Sequence, residues 1–168
     1  ALRGVHSLVV PSGVLEQIAL GTWRQPAGKV VRIPNGIDTA AFASKPDPNA
    51  LPMTKGTDER WVGTMAGLRP VKRLPALVEA FKGLPAKWRL VIVGEGPEHA
   101  EILAAAARWG CADRVHLPGA VADPAKVVGL FDIFALSSDS EQFPLSVVEA
   151  MAAGLPVASP AVGDVASI

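Results

Sequence analysis

The sequence predicts an α/β fold with a parallel sheet that helices cover on both faces. From residue 60 onward, apolar stretches of strand length alternate with segments of helical periodicity. The clearest of these stretches, WRLVIVGEG at 88–96, contains an apolar run without polar interruptions, which is typical of a strand buried on both faces. Because parallel strands need a crossover between them, the alternation favours parallel strands joined by helices.

The region from residue 60 onward predicts a regular series of strands and helices. The strands are predicted at 60–67, 88–96, 114–117, 132–138 and 155–160, and the helices at 74–84, 97–110, from about 124, and at 144–154. Pro97 and Gly110 suit the first position and the C-terminal end of the second helix, and Pro144 suits the start of the last. In the last helix we expect one face to pack on the sheet, formed by Leu145, Val148, Met151 and Ala152.

Before residue 60 the pattern is less regular. SLVVPSG at 7–13 predicts a short strand that leads into a helix beginning at Ser12. KVVRIPNGID at 29–38 predicts a strand that ends in an Asn-Gly turn. Residues 44–59 carry several prolines and no periodicity, so we expect a loop or linker there.

The amino-acid composition argues against several classes of protein. The 168 residues carry 16 basic and 16 acidic side chains, and this neutral balance gives no electrostatic footprint for nucleic acid. The single Cys111 excludes an internal disulfide and favours a reducing compartment, and neither a signal peptide nor a membrane-spanning run is visible. We therefore expect a cytoplasmic protein. Because the sequence begins without Met and ends without a helix stop signal, we expect it to be part of a longer chain.

Basic residues follow the first strand of the predicted sheet. In such sheets ligands bind beyond the C-terminal strand ends, which makes the loops after the strands the informative ones. The loop GLRPVKR holds Arg69, Lys72 and Arg73 at the start of the following helix. Cations beside a helix N-terminus suit a diphosphate, although a solvated basic turn would have the same composition.

The loop after the second strand resembles part of a dinucleotide fingerprint. Gly94 and Gly96 have the right spacing, but His99 stands where a third glycine would complete the fingerprint. This broken pattern is weak evidence for NAD. We favour a tight turn in which the glycines avoid a clash over direct contact with a ligand.

Two carboxylates, Glu141 and Glu149, lie eight residues apart around the start of the last helix. The helix dipole explains Glu141 fairly well and Glu149 poorly, because its effect fades after the first turn. A carboxylate can accept two hydrogen bonds from a vicinal diol of a ribose or a hexose. The pair therefore predicts a site for two sugars of one ligand.

Several segments together carry a family resemblance. They are RIPNGIDTAAF (32–42), GLRPVK (67–72), VGEGP (93–97), ADRVHLPGAV (112–121), SEQFPLSVVEAMAAGLPV (140–157) and VVEAMAAGLPVASPAVGDV (147–165). In order and spacing they resemble the retaining GT-B glycosyltransferases of family four, the group 1 glycosyl transferases that use nucleotide-sugar donors. The resemblance implies a Rossmann-like domain, the C-terminal half of a GT-B fold.

The resemblance also implies a division of the chain. Residues 1–43 would be the end of the N-terminal acceptor domain and the interdomain segment, and 44–59 a linker. Residues 60–168 would be the donor domain, truncated at its C-terminus. The partners implied are a nucleotide-sugar donor, UDP- or GDP-linked, the missing acceptor domain and, through that domain, peripheral association with the inner face of a membrane.

The resemblance assigns roles to individual residues. Glu141, Lys72 and Arg69 would form the catalytic group, with Glu141 on the transferred sugar and the two cations on the diphosphate, and Glu149 would bind the ribose hydroxyls. The remaining substrate-binding residues implied are Gly67, Gly94, Gly119, Val121, Gln142, Phe143, Pro144, Leu145 and Ser146.

The sequence departs from the family pattern at two positions. Relatives commonly carry Arg where this chain has Gly67, and Gly where it has Gln142. The first departure removes half of the expected diphosphate clamp unless Arg69 replaces it.

The function implied is transfer of a sugar from a nucleotide sugar with retention of configuration, in a pathway of polysaccharide or glycolipid biosynthesis. The alternatives are a non-catalytic nucleotide-binding module and an epimerase or phosphorylase of the same fold. The broken fingerprint argues against an NAD-dependent oxidoreductase. No cofactor and no metal are expected, because His6, His99 and His116 lack metal-ligand spacing and no Asp-x-Asp motif is present.

Overall fold

The computed structural model describes residues 4–168; of the predicted segment 1–43, residues 1–3 lie outside this range. The strands are β1 (Leu8–Val10), β2 (Val30–Arg32), β3 (Arg60–Met65), β4 (Trp88–Val93), β5 (Val115–Gly119), β6 (Ile133–Ala135) and β7 (Val157–Ala158). The helices are α1 (Gly13–Gly21), α2 (Thr39–Phe42), α3 (Leu74–Phe81), α4 (His99–Arg108) and α5 (Leu145–Ala152). No helix within the described range is long and apolar enough to cross a membrane.

The main sheet has five strands in the order β5-β4-β3-β6-β7, and all neighbouring pairs are parallel. The chain fills the β4 side of β3 first and then returns to the other side through β6. The strand order therefore reverses between β3 and β6, and the loops that follow these two strands diverge from one point. The predicted parallel α/β fold is confirmed, and this switch point is where such sheets bind ligands.

Both faces of the sheet are covered, and β4 shows why its sequence does not alternate. Leu90 and Ile92 face the cluster that includes α3 and α4, whereas Val91 and Val93 face the cluster that includes α5. All four side chains are buried. An uninterrupted apolar run is therefore required here, as expected for a central parallel strand.

The segment predicted as a helix from about 124 is not an α-helix. It forms two 3₁₀ turns, Pro124–Lys126 and Val128–Leu130. The Asp123 carboxylate accepts a hydrogen bond from the Ala125 amide and so caps the first turn. Gly129 disfavours a helix, and β6 follows too closely for a longer one.

Helix starts also differ from the prediction. Helix α4 begins at His99, so Pro97 precedes it, and Pro144 is the N-cap of α5 and not its first residue. The short helix α2 was not predicted; the Asp38 carboxylate caps it at the amides of Ala40 and Ala41.

The predicted packing face of α5 is wrong. Val147 and Ala150 are buried, whereas Leu145 is 38% and Met151 47% exposed. The sequence LSVVEAMA is apolar on most sides of the helix, so its periodicity does not define a single face. Only contact with the sheet selects the buried side.

The loop after β4 supports the loop after β3. A side chain at Gly94, which has a φ of 144°, would overlap the Ala66 carbonyl. The Leu68 amide donates to the Glu95 carbonyl oxygen at 2.9 Å. The structure thus agrees with the tight turn favoured from the sequence, in which glycine permits close backbone approach.

Gly63, at the centre of β3, generates a stability prediction. A Cβ there would overlap the ring of Phe131, which packs over this strand. We expect Gly63→Ala to destabilise the protein by about 1–3 kcal/mol through overpacking. Thermal denaturation should show a melting temperature lower by about 2–4 °C for each kcal/mol. Gly83→Ala is the control, because nothing lies within 4 Å of the added Cβ. Its melting temperature should stay within about 2–4 °C of that of the parent. Equal losses of melting temperature in both variants would contradict the packing of Phe131 over Gly63.

Candidate functional site

The candidate site lies at the switch point, between residues 66–73 after β3 and residues 136–144 after β6. Strand β3 pairs directly with β6, so the two loops leave the sheet side by side. Between them the Asp139 amide donates to the Val71 carbonyl oxygen at 2.9 Å. Backbone contact therefore fixes the spacing of the loops before any ligand is considered.

An ion pair joins the two loops. Lys72 Nζ lies 2.5 Å from Glu141 Oε1, and their side chains are only 17% and 12% exposed. Such a pair is screened less by solvent than an exposed one. The structure therefore brings together two residues that sequence analysis assigned to one site from separate loops.

Two serines in the loop after β6 contact this pair, and sequence analysis missed both. Ser138 Oγ donates to Glu141 Oε1 at 2.6 Å, and Ser137 Oγ donates to the Lys72 carbonyl oxygen at 2.7 Å. For Ser138 the signal in the sequence was its position three residues before the carboxylate of Glu141. Nothing in the sequence indicated that the neighbouring hydroxyl would reach the other loop.

The N-terminus of α5 directly follows the loop that carries Glu141. Its N-cap, Pro144, is buried and has no side-chain acceptor for the first amides of the helix. The Leu145 and Ser146 amides belong to the turn whose N–H groups lack intrahelical partners. With the helix dipole, such amides favour an anionic group.

Glu149 lies in the second turn of α5, on a half-buried part of the helix. Burial raises the pKa of this carboxyl above its usual range. A carboxylate that is kept from water without compensation is unusual in a purely structural role. Its position is consistent with a group held ready for a polar ligand.

Arg69 lies beside Gly67, the position where the resemblance implies an arginine in relatives. Gly67 is exposed immediately beyond β3, and Arg69 Nε lies 3.5 Å from the position of a Cβ built on it. The Arg69 amide donates to the Gly67 carbonyl oxygen at 2.9 Å, which folds the loop back on itself. The guanidinium thus occupies the region that a side chain at position 67 would enter.

Gly119 and Val121, the two residues predicted beside the nucleotide base, are both half-buried. Gly119 ends β5 with a φ of 90°, and Glu95 Oε1 lies 3.8 Å from the position of a Cβ built on it. Val121 packs against the core cluster on the α5 side. The Val121 side chain therefore lies among apolar neighbours.

Gln142 and Phe143 connect the site to the chain's first helix. The Gln142 carbonyl oxygen accepts from the Asp164 amide at 3.0 Å, and the Asp164 carboxylate accepts from the Gly13 and Val14 amides of α1 at 2.6 and 3.2 Å. Phe143 lines a cavity of about 340 Å³ beside this contact, together with Arg32, Pro34, Asp164 and Ser167. The role of Asp164 was not predicted, because it depends on residues distant in sequence.

His6, His99 and His116 do not converge in the structure. Across residues 4–168 no group of three or more histidine, cysteine, aspartate or glutamate side chains could hold a metal ion. The two loops at the switch point instead carry the ion pair of Lys72 with Glu141, an exposed pair of Arg73 with Asp139 at 3.4 Å, and the exposed Arg69.

The raised pKa of Glu149 generates a prediction on stability. A carboxyl with a raised pKa favours folding while it is protonated in both states, and that contribution is lost as pH rises through the folded-state pKa. At neutral pH the folded protein therefore carries an unfavourable buried charge. We expect Glu149→Gln to raise the melting temperature at pH 7.5, and the gain to shrink toward about pH 4, near the ordinary pKa of glutamate.

The matched control is Glu101→Gln, which removes an exposed carboxylate from α4. Its melting temperature should differ little from that of the parent at either pH. A Glu149→Gln variant that melts lower than the parent at pH 7.5 would contradict the burial of an uncompensated charge.

The chain is similar to proteins of one known family. The family described as Glycosyl transferases group 1 matches residues 59–168, which include every loop of the candidate site. D-inositol 3-phosphate glycosyltransferase of Segniliparus rotundus is 35% identical over 147 residues, covering 80% of this chain and 32% of the relative. N-acetyl-alpha-D-glucosaminyl L-malate synthase of Bacillus anthracis is 32% identical over 106 residues, covering 62% of this chain and 28% of the relative.

Solved structures share the fold. HepE of Anabaena in complex with UDP-glucose matches with a TM-score of 0.86 at 23% identity, over 98% of this chain and 47% of that one. The pneumococcal O-GlcNAc transferase GtfA in complex with UDP and GlcNAc matches with a TM-score of 0.72 at 25% identity, over 95% of this chain and 31% of that one. The predicted Rossmann-like fold is confirmed by these likenesses.

This chain spans less than half the length of the relatives and structures it matches. The family match itself runs from the start of β3 to the last residue and covers most of the sequence. On that match, the chain belongs to the group 1 glycosyl transferases.

Proposed function

We propose that this chain is the donor-binding part of a glycosyltransferase that moves a sugar from a nucleotide sugar to an acceptor with retention of configuration. The observation that carries the proposal is the meeting of Lys72, Glu141 and the α5 N-terminus at the switch point. These groups offer a cation, an acceptor of hydroxyl hydrogen bonds and free amide donors within one crevice. A diphosphate linked to a sugar needs all three.

The diphosphate would lie between Lys72, Arg69 and the α5 N-terminus. Lys72 keeps two of its three ammonium protons outside the contact with Glu141. As the bond to the sugar breaks, negative charge accumulates on the leaving diphosphate. Fixed cations and helix amides would stabilise that charge without reorganising, which lowers the barrier.

The two carboxylates would hold the two sugars of the donor. Glu141, beside Lys72, would accept hydroxyl protons from the transferred sugar, and Glu149, further along α5, would accept those of the ribose. The UDP and UDP-glucose complexes of HepE support a nucleotide-sugar ligand for this fold. We propose a UDP- or GDP-linked donor and no metal or further cofactor.

The segment before residue 44 would belong with an acceptor domain, and residues 44–59 would link it to the donor domain. Strands β1 and β2 form a separate sheet of two strands, which is too small to be stable alone in water. Val9 in β1 and Ile33, directly after β2, are 56% and 55% exposed. An acceptor domain packed against this sheet would bury them and close the cleft.

A ligand screen tests the proposal directly. UDP, GDP, ADP and their sugars are each added to the protein, and its melting temperature is recorded. A bound nucleotide at a hundred times its dissociation constant should stabilise the protein by about 2.7 kcal/mol. Stabilisation by NAD alone, or by none of the nucleotides, would contradict the proposal, and turnover with inorganic phosphate would identify a phosphorylase.

The two glutamates should differ in what they recognise. We expect Glu149→Gln to weaken binding of the free nucleoside diphosphate by about 1.5–3 kcal/mol, the scale of a hydrogen bond to a charged group. Glu141→Gln should spare the free diphosphate and weaken only the nucleotide sugar. Calorimetric titration measures both, with Glu101→Gln as the exposed control. Equal losses for both ligands in both variants would refute the assignment.

The diphosphate clamp should depend on Arg69 as well as Lys72. We expect Arg69→Ala and Lys72→Ala each to weaken diphosphate binding by about 1.5–3 kcal/mol, since each removes a charge-assisted contact. Arg69→Lys should recover only part, because lysine lacks the planar fork of arginine. Arg108→Ala removes an equal charge from the exposed end of α4 and serves as the control. Unchanged affinity in Arg69→Ala would show that the clamp has no arginine.

A further inference from the structure

Two consecutive serines, Ser137 and Ser138, lie in the loop that follows β6, and their hydroxyls have different partners. Ser137 Oγ donates to the backbone carbonyl of Lys72, whereas Ser138 Oγ donates to the carboxylate of Glu141. Ser138 is 2% exposed, so solvent does not compete for this hydrogen bond. A buried hydroxyl aimed at a site carboxylate needs an explanation beyond packing.

The two contacts of Glu141 fall on one oxygen. Lys72 Nζ at 2.5 Å and Ser138 Oγ at 2.6 Å both meet Oε1, and Oε2 takes part in neither contact. Lysine is a compact charge on a flexible stem and fixes direction poorly. The hydroxyl of Ser138 is held by a buried backbone and supplies the second, directional contact. Together they fix the rotation of the carboxylate.

We propose that Ser138 is a positioning residue that orients Glu141 so that Oε2 faces the sugar of the donor. The inference rests on the proposed function, because it assigns Ser138 a part in the same site. When Lys72 also binds a diphosphate, its ion pair with Glu141 weakens. Ser138 then remains as the contact that keeps Oε1 in place, so its effect concerns the complete nucleotide sugar and not the diphosphate.

The test compares two ligands in the intact protein. UDP and UDP-glucose are titrated calorimetrically, or GDP and GDP-mannose if the screen above selects guanine. In Ser138→Ala we expect the dissociation constant of the nucleotide sugar to rise about tenfold or more, the loss typical for a hydrogen bond to a charged group. That of the free diphosphate should change less than twofold. Ser137→Ala is the matched control, and any change it causes should be the same factor for both ligands.

A double-mutant cycle separates positioning from general damage. Because Ser138 acts through Glu141, adding Ser138→Ala to Glu141→Gln should weaken nucleotide-sugar binding by less than a further twofold. If the serine merely supported the fold, its full factor would appear again in the double variant. Should Ser138→Ala fail to fold, Ser138→Cys keeps the volume with a weaker donor and carries the same expectation.

The outcomes distinguish this inference from the proposed function. If Glu141→Gln weakens the nucleotide sugar selectively and Ser138→Ala does not, the positioning role is overturned and the proposed function stands. If Glu141→Gln shows no selectivity, the proposed role of Glu141 falls, and the inference falls with it. Equal losses of diphosphate and nucleotide sugar in Ser138→Ala also overturn the inference.

Discussion

The ion pair between Lys72 and Glu141 is the interaction on which the arrangement of the site depends. It joins two loops that are 69 residues apart in sequence and that leave adjacent strands of the sheet. The pair is possible only because the strand order reverses between β3 and β6. Its partial burial makes the contact stronger than an exposed ion pair and makes the loss of either partner costly.

Supporting contacts surround the pair in layers. Ser137 and Ser138, in the loop after β6, bind one partner each, and a hydrogen bond from the Asp139 amide to the Val71 carbonyl oxygen joins the two loops. Behind the first loop, Gly94 lets the β4 loop approach so closely that any side chain would clash. The residues at these contacts are small, so the loops that carry Lys72 and Glu141 can pack closely against one another.

Glu149 is unfavourable for stability at neutral pH, because it is half-buried and burial raises the pKa of its carboxyl. On the other side of the site, Gly163 lies where a side chain would overlap the Glu141 carbonyl, and Asp164 bonds both Gln142 and α1. The loop that carries Glu141 is therefore in contact with the chain's first helix as well as with its own domain. A movement of α1 would therefore also move the loop that carries Glu141.

The sequence by itself determined the class of fold and most of its elements. In β4, the apolar run demanded burial on both faces, and the five strands and the helices α3, α4 and α5 follow from local pattern. The motifs around Lys72, Glu141 and Glu149 could also be recognised in the sequence, because strand ends and helix starts have local signals. The turns from Pro124 were predicted as a helix, and α2 with its cap at Asp38 was not predicted, because segments of three or four residues are too short to show a repeating pattern.

Only the tertiary structure decided which side of a helix is buried and which distant residues form hydrogen bonds with each other. Helix α5 is apolar on most sides, so contact with the sheet, and not periodicity, buries Val147 and leaves Leu145 exposed. Ser138 and Asp164 gained their roles through partners that strand order and loop closure bring near: Lys72 beside Glu141, and α1 beside the last loop. A hydrogen bond across 151 residues, as between Asp164 and Gly13, leaves no local trace, because the spacing that creates it is set by the packing of every element between them.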